Sequence, residues 1–310
     1  MNQKQLYLTM FLLMVLWLFL QRNAWQNPKK ETAFSEPQPA TAYFVPAGKS
    51  LKSNSGKIYP VGLALGGGGI KCLCHAGILK AMEEDSIKPN IISGVSAGAV
   101  VAALYADGNS PDSIVSLFEK TNYADLFYFE IPKGGLFSLT GFKIFLNKIL
   151  HAKTFEELKI PLRIVATDLD NGQSVVFDKG SLIDALMASC SVPILFGPYN
   201  INNVNYVDGG LLQNLPASVL RSDCRYLIGA SLGPMDTQPY EESITNIALR
   251  SYKFIFRSNA NYDRGLCDKL IEPKGLAKFN GTDIGHIQEI YDLGYREAKK
   301  ALKNYPHQKR

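Results

Sequence analysis

Apolar positions fall into three regimes along the chain. From Leu6 to Leu20 they are nearly continuous, from Gln26 to Lys57 sparse and aperiodic, and from residue 58 onward they form short runs alternating with stretches of helical spacing. Val61 to Leu65 reads as a buried strand that ends in four glycines, Gly66 to Gly69. Ile70, Leu73, Cys74, Gly77, Ile78, Ala81 and Met82 then recur at the spacing of one helical face. Asn90 to Ser93 reads as a second strand and Ala97 to Ala106 as a helix whose small side chains permit close approach to a sheet. Leu162 to Thr167, Ser174 to Phe177 and Tyr226 to Ser231 are further strands, and Leu182 to Ala188 and Tyr240 to Ser258 further helices. This alternation predicts an α/β fold, with a mostly parallel central sheet covered on both faces.

The first two regimes delimit the organisation. Fifteen apolar residues, Leu6 to Leu20, lie between Lys4 and Arg22. As a helix they reach roughly 22 Å, short of a ~30 Å hydrocarbon core but matching a short tilted anchor or a signal-peptide core. The best cleavage signal, Arg22-Asn23-Ala24, is poor, which favours an anchor retained over an exported, cleaved chain. Residues 26–57, with Pro28, Pro37, Pro39 and Pro46 among polar residues, read as a flexible linker. The expected division is an N-terminal hydrophobic segment at 1–25, a linker at 26–57 and one folded domain at 58–310.

Charge changes the picture by its location. Residues 1–58 carry seven Lys/Arg against two Glu, which accounts for the whole formal charge of +5. The remainder is neutral, so the electrostatic footprint of a nucleic-acid binder is missing. Cys72 and Cys74 sit two apart on an expected helix and diverge, so with His75 they make a poor zinc set. No metal or cofactor is expected.

In open parallel sheets, sites collect where strands pass into helices. Two turns meet that condition. Gly94-Val95-Ser96-Ala97-Gly98 is G-x-S-x-G between a strand and a helix, the context of a nucleophile elbow with Ser96 at its tip. The Gly66–Gly69 turn fails the dinucleotide pattern in register, because the last position falls on Lys71 or Cys72. Gly67, Gly68 and Gly69 can instead offer unobstructed amides to an oxyanion. A serine nucleophile needs a base. The candidates are a histidine, which the usual hydrolase order restricts to His286 or His307, and Asp208 in Val207-Asp208-Gly209-Gly210.

Four ordered blocks then carry a resemblance: GLALGGGGIKCLCHAGILKAMEE, GVSAG, ATDLDNGQSVVF and ASCSVPILFGPYNINNVNYVDGGLLQNLP. Together they resemble the patatin-like phospholipases, including bacterial and neuropathy-target-esterase-like members, over roughly residues 59–303. The resemblance implies a three-layer α/β/α sandwich and a Ser/Asp dyad with no catalytic histidine. Carried over by position, Ser96 is the nucleophile, Asp208 the general base, and Gly67, Gly68 and Gly69 the oxyanion hole. Lys71 matches the basic residue after the glycine run and is read as supporting that loop. Cys72 stands where the family usually has Gly, which predicts a tighter or tilted entry into the first helix.

The region Leu126 to Phe145 is unusually aromatic and reads either as an ordinary core layer or as a cap on an acyl pocket or a bilayer contact. With the apolar leader it points to phospholipids or other acyl-ester lipids as substrate and to a membrane surface as partner. The competing readings are a histidine-triad carboxylesterase and a non-catalytic lipid-binding module.

Overall fold

The computed structural model describes residues 38–44, 58–129, 134–232, 240 and 242–306. The apolar leader, most of the 26–57 segment and His307 lie outside them. Among the described residues no helix is long and apolar enough to cross a membrane.

In chain order the elements are β1 (Ala42–Phe44), β2 (Tyr59–Leu65), a 3₁₀ turn (Gly69–Leu73), α1 (Cys74–Glu84), β3 (Ile91–Val95), α2 (Ala97–Asp107) and α3 (Pro111–Glu119). Next come β4 (Tyr128–Phe129), β5 (Gly135–Ser138), α4 (Thr140–Ile149), β6 (Leu162–Asp168), β7 (Gln173–Phe177) and α5 (Leu182–Cys190). The remainder holds β8 (Ile194–Phe196), β9 (Tyr199–Ile201), β10 (Val204–Asp208), β11 (Cys224–Ala230), α6 (Ile244–Arg264), β12 (Lys269–Ile271) and α7 (Ile287–Ala301).

The main sheet runs β1-β7-β6-β3-β2-β11-β12. From β6 to β12 every neighbouring pair is parallel, whereas β7 returns antiparallel to β6 and β1 antiparallel to β7. The two-residue period of a strand sorts side chains to two apolar layers. Leu63, Leu65, Ile92, Ile164, Ala166, Val175 and Phe177 face one layer, and Ala64, Ile91, Val95, Val165 and Val176 face the other. The first layer is closed by α1, α2, α3, α5 and α7. The second is closed by the single helical turn Ser218–Arg221, the apolar residues before it and Ala260 of α6. The architecture is the expected three-layer α/β/α sandwich.

Local chemistry fixes the helix starts. Ser110 accepts the Ser113 N–H with Pro111 at the first helical position, and Ser181 accepts the Asp184 N–H at 3.2 Å. Ser243 caps α6 by accepting the Asn246 N–H, also at 3.2 Å.

One segment departs from the linker expectation. Ala42–Phe44 is an edge strand, paired residue for residue with Phe177, Val176 and Val175. Three residues are too few to show a period, so neither composition nor spacing reveals them. Tyr43 anchors the strand against Asp178 and the Arg163–Asp223 ion pair, and burial pushes its phenol well above the ordinary tyrosine range.

Candidate active site

β3 passes into α2 at Ser96, which adopts φ 54° and ψ −137°. An L-residue holds that conformation only under constraint. Here the constraint is visible on two sides. The Ser96 N–H donates to Ser189 Oγ at 2.8 Å, and the same hydroxyl donates to the Val165 carbonyl at 2.7 Å. On the opposite side, α2 runs so close to the loop after β2 that a Cβ on Gly98 would stand 2.4 Å from the Gly66 carbonyl oxygen. Any side chain at 98 would push the helix off that loop. Ser96 thus tops α2, where the first amides favour developing negative charge.

Sheet register explains how Asp208 arrives at the same place. Along one flank of β6, β3 pairs up to Val95 opposite Val165. At the next residue, Ala166, the partner is Asp208 of β10, running the other way. β3 leaves the sheet where β10 enters it, so the turn bearing Ser96 and the end of β10 share one position.

Asp208 is fully buried. Its N–H donates to the Ser191 carbonyl at 3.0 Å, and its carbonyl accepts from Thr167 Oγ1 at 3.1 Å. Oδ1 accepts the Gly210 N–H at 2.7 Å, while Oδ2 has no hydrogen-bond partner among the described residues. Burial pushes the carboxyl up from 3.8 to about 6, against the opposing pull of the Ser96 side chain and the Gly210 N–H. The Ser96 side chain thus lies near enough to act on the carboxyl, and such pairs tighten when substrate is bound. A dry carboxylate oxygen without a donor is costly, and this one has the capacity to receive a proton.

The glycine run divides. Gly67 is buried directly behind the nucleophile position, where a Cβ would stand 3.0 Å from Ser96 Cβ, and its N–H is taken by the Asn214 carbonyl at 3.3 Å. The expected trio of oxyanion amides is thereby reduced. No described backbone carbonyl outside the 3₁₀ turn takes the N–H of Gly68 or Gly69, and these two residues are half-exposed and exposed. The sequence treats all three glycines alike; the backbone path distinguishes them.

Buried groups underneath pin this loop. His75 Nε2 contacts the Gly66 carbonyl at 2.8 Å, and Cys72 Sγ donates to the same oxygen at 3.4 Å. Burial pushes His75 down to about 4. The neutral ring must carry its proton on Nε2, since a carbonyl oxygen only accepts. Cys72 fits within a 3₁₀ turn, the tighter helix, at the entry to α1. Lys71 is half-buried in that turn, and its charge acts on the Cys72 and Cys74 thiols.

The other described histidines are engaged elsewhere. His151 is largely exposed and bonded to Asp107 at 3.0 Å, and His286 is exposed with its ring against Phe279.

Three supports were not singled out in the sequence. Ser189 lies in the quoted ASCSVP block, but a serine near a helix end carries no distinguishing signal. Asn259 of α6 donates to the Gly210 and Leu211 carbonyls at 2.8 and 3.0 Å and accepts the Asn214 N–H at 2.9 Å. Asp263, one turn on, accepts the Ser218 N–H at 2.5 Å, and burial pushes its carboxyl up to about 6. The only sequence hint is an i, i+4 pair of short polar residues on a helix.

Beside α5 lies a cavity of about 210 Å³ whose walls include Phe137, Leu139, Met187, Ser191, Phe196 and Tyr199. Ser191 joins it to the site, because its carbonyl holds the Asp208 N–H. The aromatic region is partly core as well: Phe142 is buried, and the Phe127 ring lies 5.5 Å from both Phe142 and Phe196.

Residues 63–221 match the sequence profile described as Patatin-like phospholipase. An uncharacterized NTE family protein of Mycobacterium tuberculosis (strain H37Rv) is 29% identical over 220 residues, covering 70% of this chain and 61% of that protein. Patatin-like phospholipase domain-containing protein 6 of Mus musculus is 30% identical over 281 residues, covering 77% of this chain and 20% of that one. The chain thus spans about three-fifths of the mycobacterial relative and a fifth of the mammalian one. Among solved structures, VipD from Legionella pneumophila aligns over 90% of this chain and 72% of its own, at 13% identity and a TM-score of 0.45. With the profile covering just over half of its length, the chain belongs to the patatin-like phospholipase family.

Proposed function

We propose that the chain is a serine acyl hydrolase that cleaves carboxylic esters of membrane lipids, of phospholipase A or lysophospholipase type, through a Ser96 acyl-enzyme. The observation that carries this reading is the strand register that brings the end of β10, with the buried Asp208 carboxyl and its unpaired Oδ2, to the turn bearing Ser96.

In the first step Asp208 takes the Ser96 proton as Oγ bonds to the substrate carbonyl carbon. The carbonyl oxygen gains negative charge opposite the Gly68 and Gly69 amides and the start of α2, where preorganised donors are worth on the order of 10²- to 10³-fold in rate. Asp208 then returns the proton to the departing alcohol as the C–O bond breaks. Water repeats the sequence on the acyl-enzyme and releases the fatty acid. Lys71 supports the loop, and the cavity walled by Phe137 and Phe196 is the candidate seat for the acyl chain. In this reading residues 1–25 hold the chain at a membrane, unless cleavage exports it, residues 26–57 link, and residues 58–310 carry the hydrolase.

The test is hydrolysis of a panel of phospholipids, lysophospholipids and simple esters by the full chain. Ser96→Ala and Asp208→Ala should each abolish turnover, and His286→Ala should leave it intact. Full activity in Asp208→Ala, or loss in His286→Ala equal to that in Ser96→Ala, would replace the dyad by a histidine triad. Lipid binding without turnover would leave a binding module.

A further inference from the structure

α6 presents three faces. Asn259, Ala260 and Asp263 turn inward, the last two almost fully buried. Outward stand Ile244, Ile247, Phe254, Ile255 and Tyr262, exposed by 89, 51, 55, 45 and 45%. At 3.6 residues per turn these five fall within an arc of about 100°. Exposed apolar residues elsewhere on the described surface, such as Ile144 on α4 and Leu169 in the turn after β6, do not form such a row along one helix. Isolated ones need no explanation, whereas a contiguous stripe does.

The neighbouring arc is cationic. Arg250, Lys253 and Arg257 follow one another along it, and from Ile244 to Tyr262 the helix contains no Asp or Glu. Arg250 stacks over the half-exposed Tyr240 ring at 4.5 Å, which adds an aromatic edge to the same region. An apolar stripe bordered by Arg and Lys matches the two layers of an anionic bilayer surface, acyl boundary and charged headgroups. A second copy of the chain is a poorer fit, because a symmetric contact would bring the two cationic arcs together.

We propose that α6 is the element by which the folded domain docks on anionic lipid bilayers. The helix lies along the surface with Ile247, Phe254, Ile255 and Tyr262 in the acyl boundary and Arg250 and Arg257 among the headgroups. Asn259, on the inward face of the same helix, holds the Gly210 and Leu211 carbonyls immediately after Asp208, so the docking helix is bonded directly to the turn that carries Asp208. The docking deepens the lipid-hydrolase reading and takes its purpose from it, while its test needs no catalysis.

The experiment uses the full chain carrying Ser96→Ala, so that lipid is not consumed, with the native indoles removed by Trp17→Phe and Trp25→Phe. A single indole is introduced by Phe254→Trp or, as a reference in the turn after β6, by Leu169→Trp. Vesicles of phosphatidylcholine, with or without phosphatidylglycerol, carry brominated acyl chains as quencher. Emission from position 254 should be quenched severalfold more than from 169, and severalfold more with phosphatidylglycerol than without it. Arg257→Gln should weaken the docking constant about fivefold, the value of one basic residue near an anionic surface. Equal quenching at the two positions, or equal quenching by neutral vesicles, overturns the proposal. So does self-association that Phe254→Ser abolishes in the absence of quenching, which assigns the stripe to a second copy. Failure of the full chain to hydrolyse any lipid, with quenching intact, refutes the enzymatic reading and leaves the docking surface standing.

Discussion

Asp208 holds its proton in the folded chain up to about pH 6, whereas the unfolded chain releases it near 3.8. The folded state therefore binds more protons between those values, and the contribution of this group to stability falls as pH rises through that window. Above about 6 the buried charge is a standing cost, and in the proposed mechanism it is this charge that removes the Ser96 proton. Asp208→Asn should accordingly raise stability at pH 7.5 by about 3 kcal/mol, with the gain vanishing near pH 4, while turnover drops by about 10²- to 10⁴-fold. Thermal melts at the two pH values and ester hydrolysis check both signs. Ser189 makes a different prediction, because it touches the backbone of the nucleophile. Ser189→Ala removes the acceptor of the Ser96 N–H, a buried loss of about 1–3 kcal/mol. Through a misplaced Oγ it should lower kcat with KM unchanged. Ser96 was legible from G-x-S-x-G, and its strained turn is what the two glycines imply. Asp208 was legible as one of several candidate bases and was singled out only by the family resemblance, since its approach to the Ser96 turn depends on the shared register at Ala166. Ser189 was not legible, because a hydroxyl that braces a backbone N–H carries no pattern of its own.

Elements with a strong period were readable, and those held by tertiary contact were not. The strands at 59–65, 91–95, 162–168 and 173–177 fall within two residues of the apolar runs that predict them. α6 begins at Ile244 and extends to Arg264, later at both ends than Tyr240 to Ser258. Its start is fixed by the Ser243 cap and its last turn by Arg264 and Asp263 contacts, features an apolar count does not weigh. The crossing of α1 and α7 offers an element-scale test. A Cβ on Gly77 would stand 2.0 Å from the Tyr291 carbonyl, and one on Gly294 would stand 2.0 Å from the Cys74 carbonyl. The two backbones touch, so Gly77→Ala should cost about 1–3 kcal/mol in chemical denaturation through overpacking. The damage should reach the glycine loop too, because His75 rides on α1 and holds Gly66.

At the scale of the molecule, the chain places Ser96 and the glycine loop at the carboxyl ends of parallel strands, brings Asp208 in on the antiparallel β10, and closes the second face of the sheet with residues 215–220 and Ala260 of α6. The body of the chain, residues 59–310, is neutral and lacks the electrostatic footprint of a nucleic-acid binder. The sequence did not separate Gly67 from Gly68 and Gly69, nor did it reveal that residues 42–44 join the sheet. Both depend on where distant backbone lies, Asn214 in one case and Val175 to Phe177 in the other.

The whole account rests on Asp208 acting as the base for Ser96. The most direct measurement is the rate at which a fluorophosphonate modifies Ser96, followed by intact mass from pH 4.5 to 8.5 in the wild-type chain and in Asp208→Asn. The wild-type rate should rise sigmoidally with a midpoint near 6 and level off, and the variant should be slow and flat across the range. A variant that keeps the wild-type profile, or a wild-type chain modified at another residue, would contradict it.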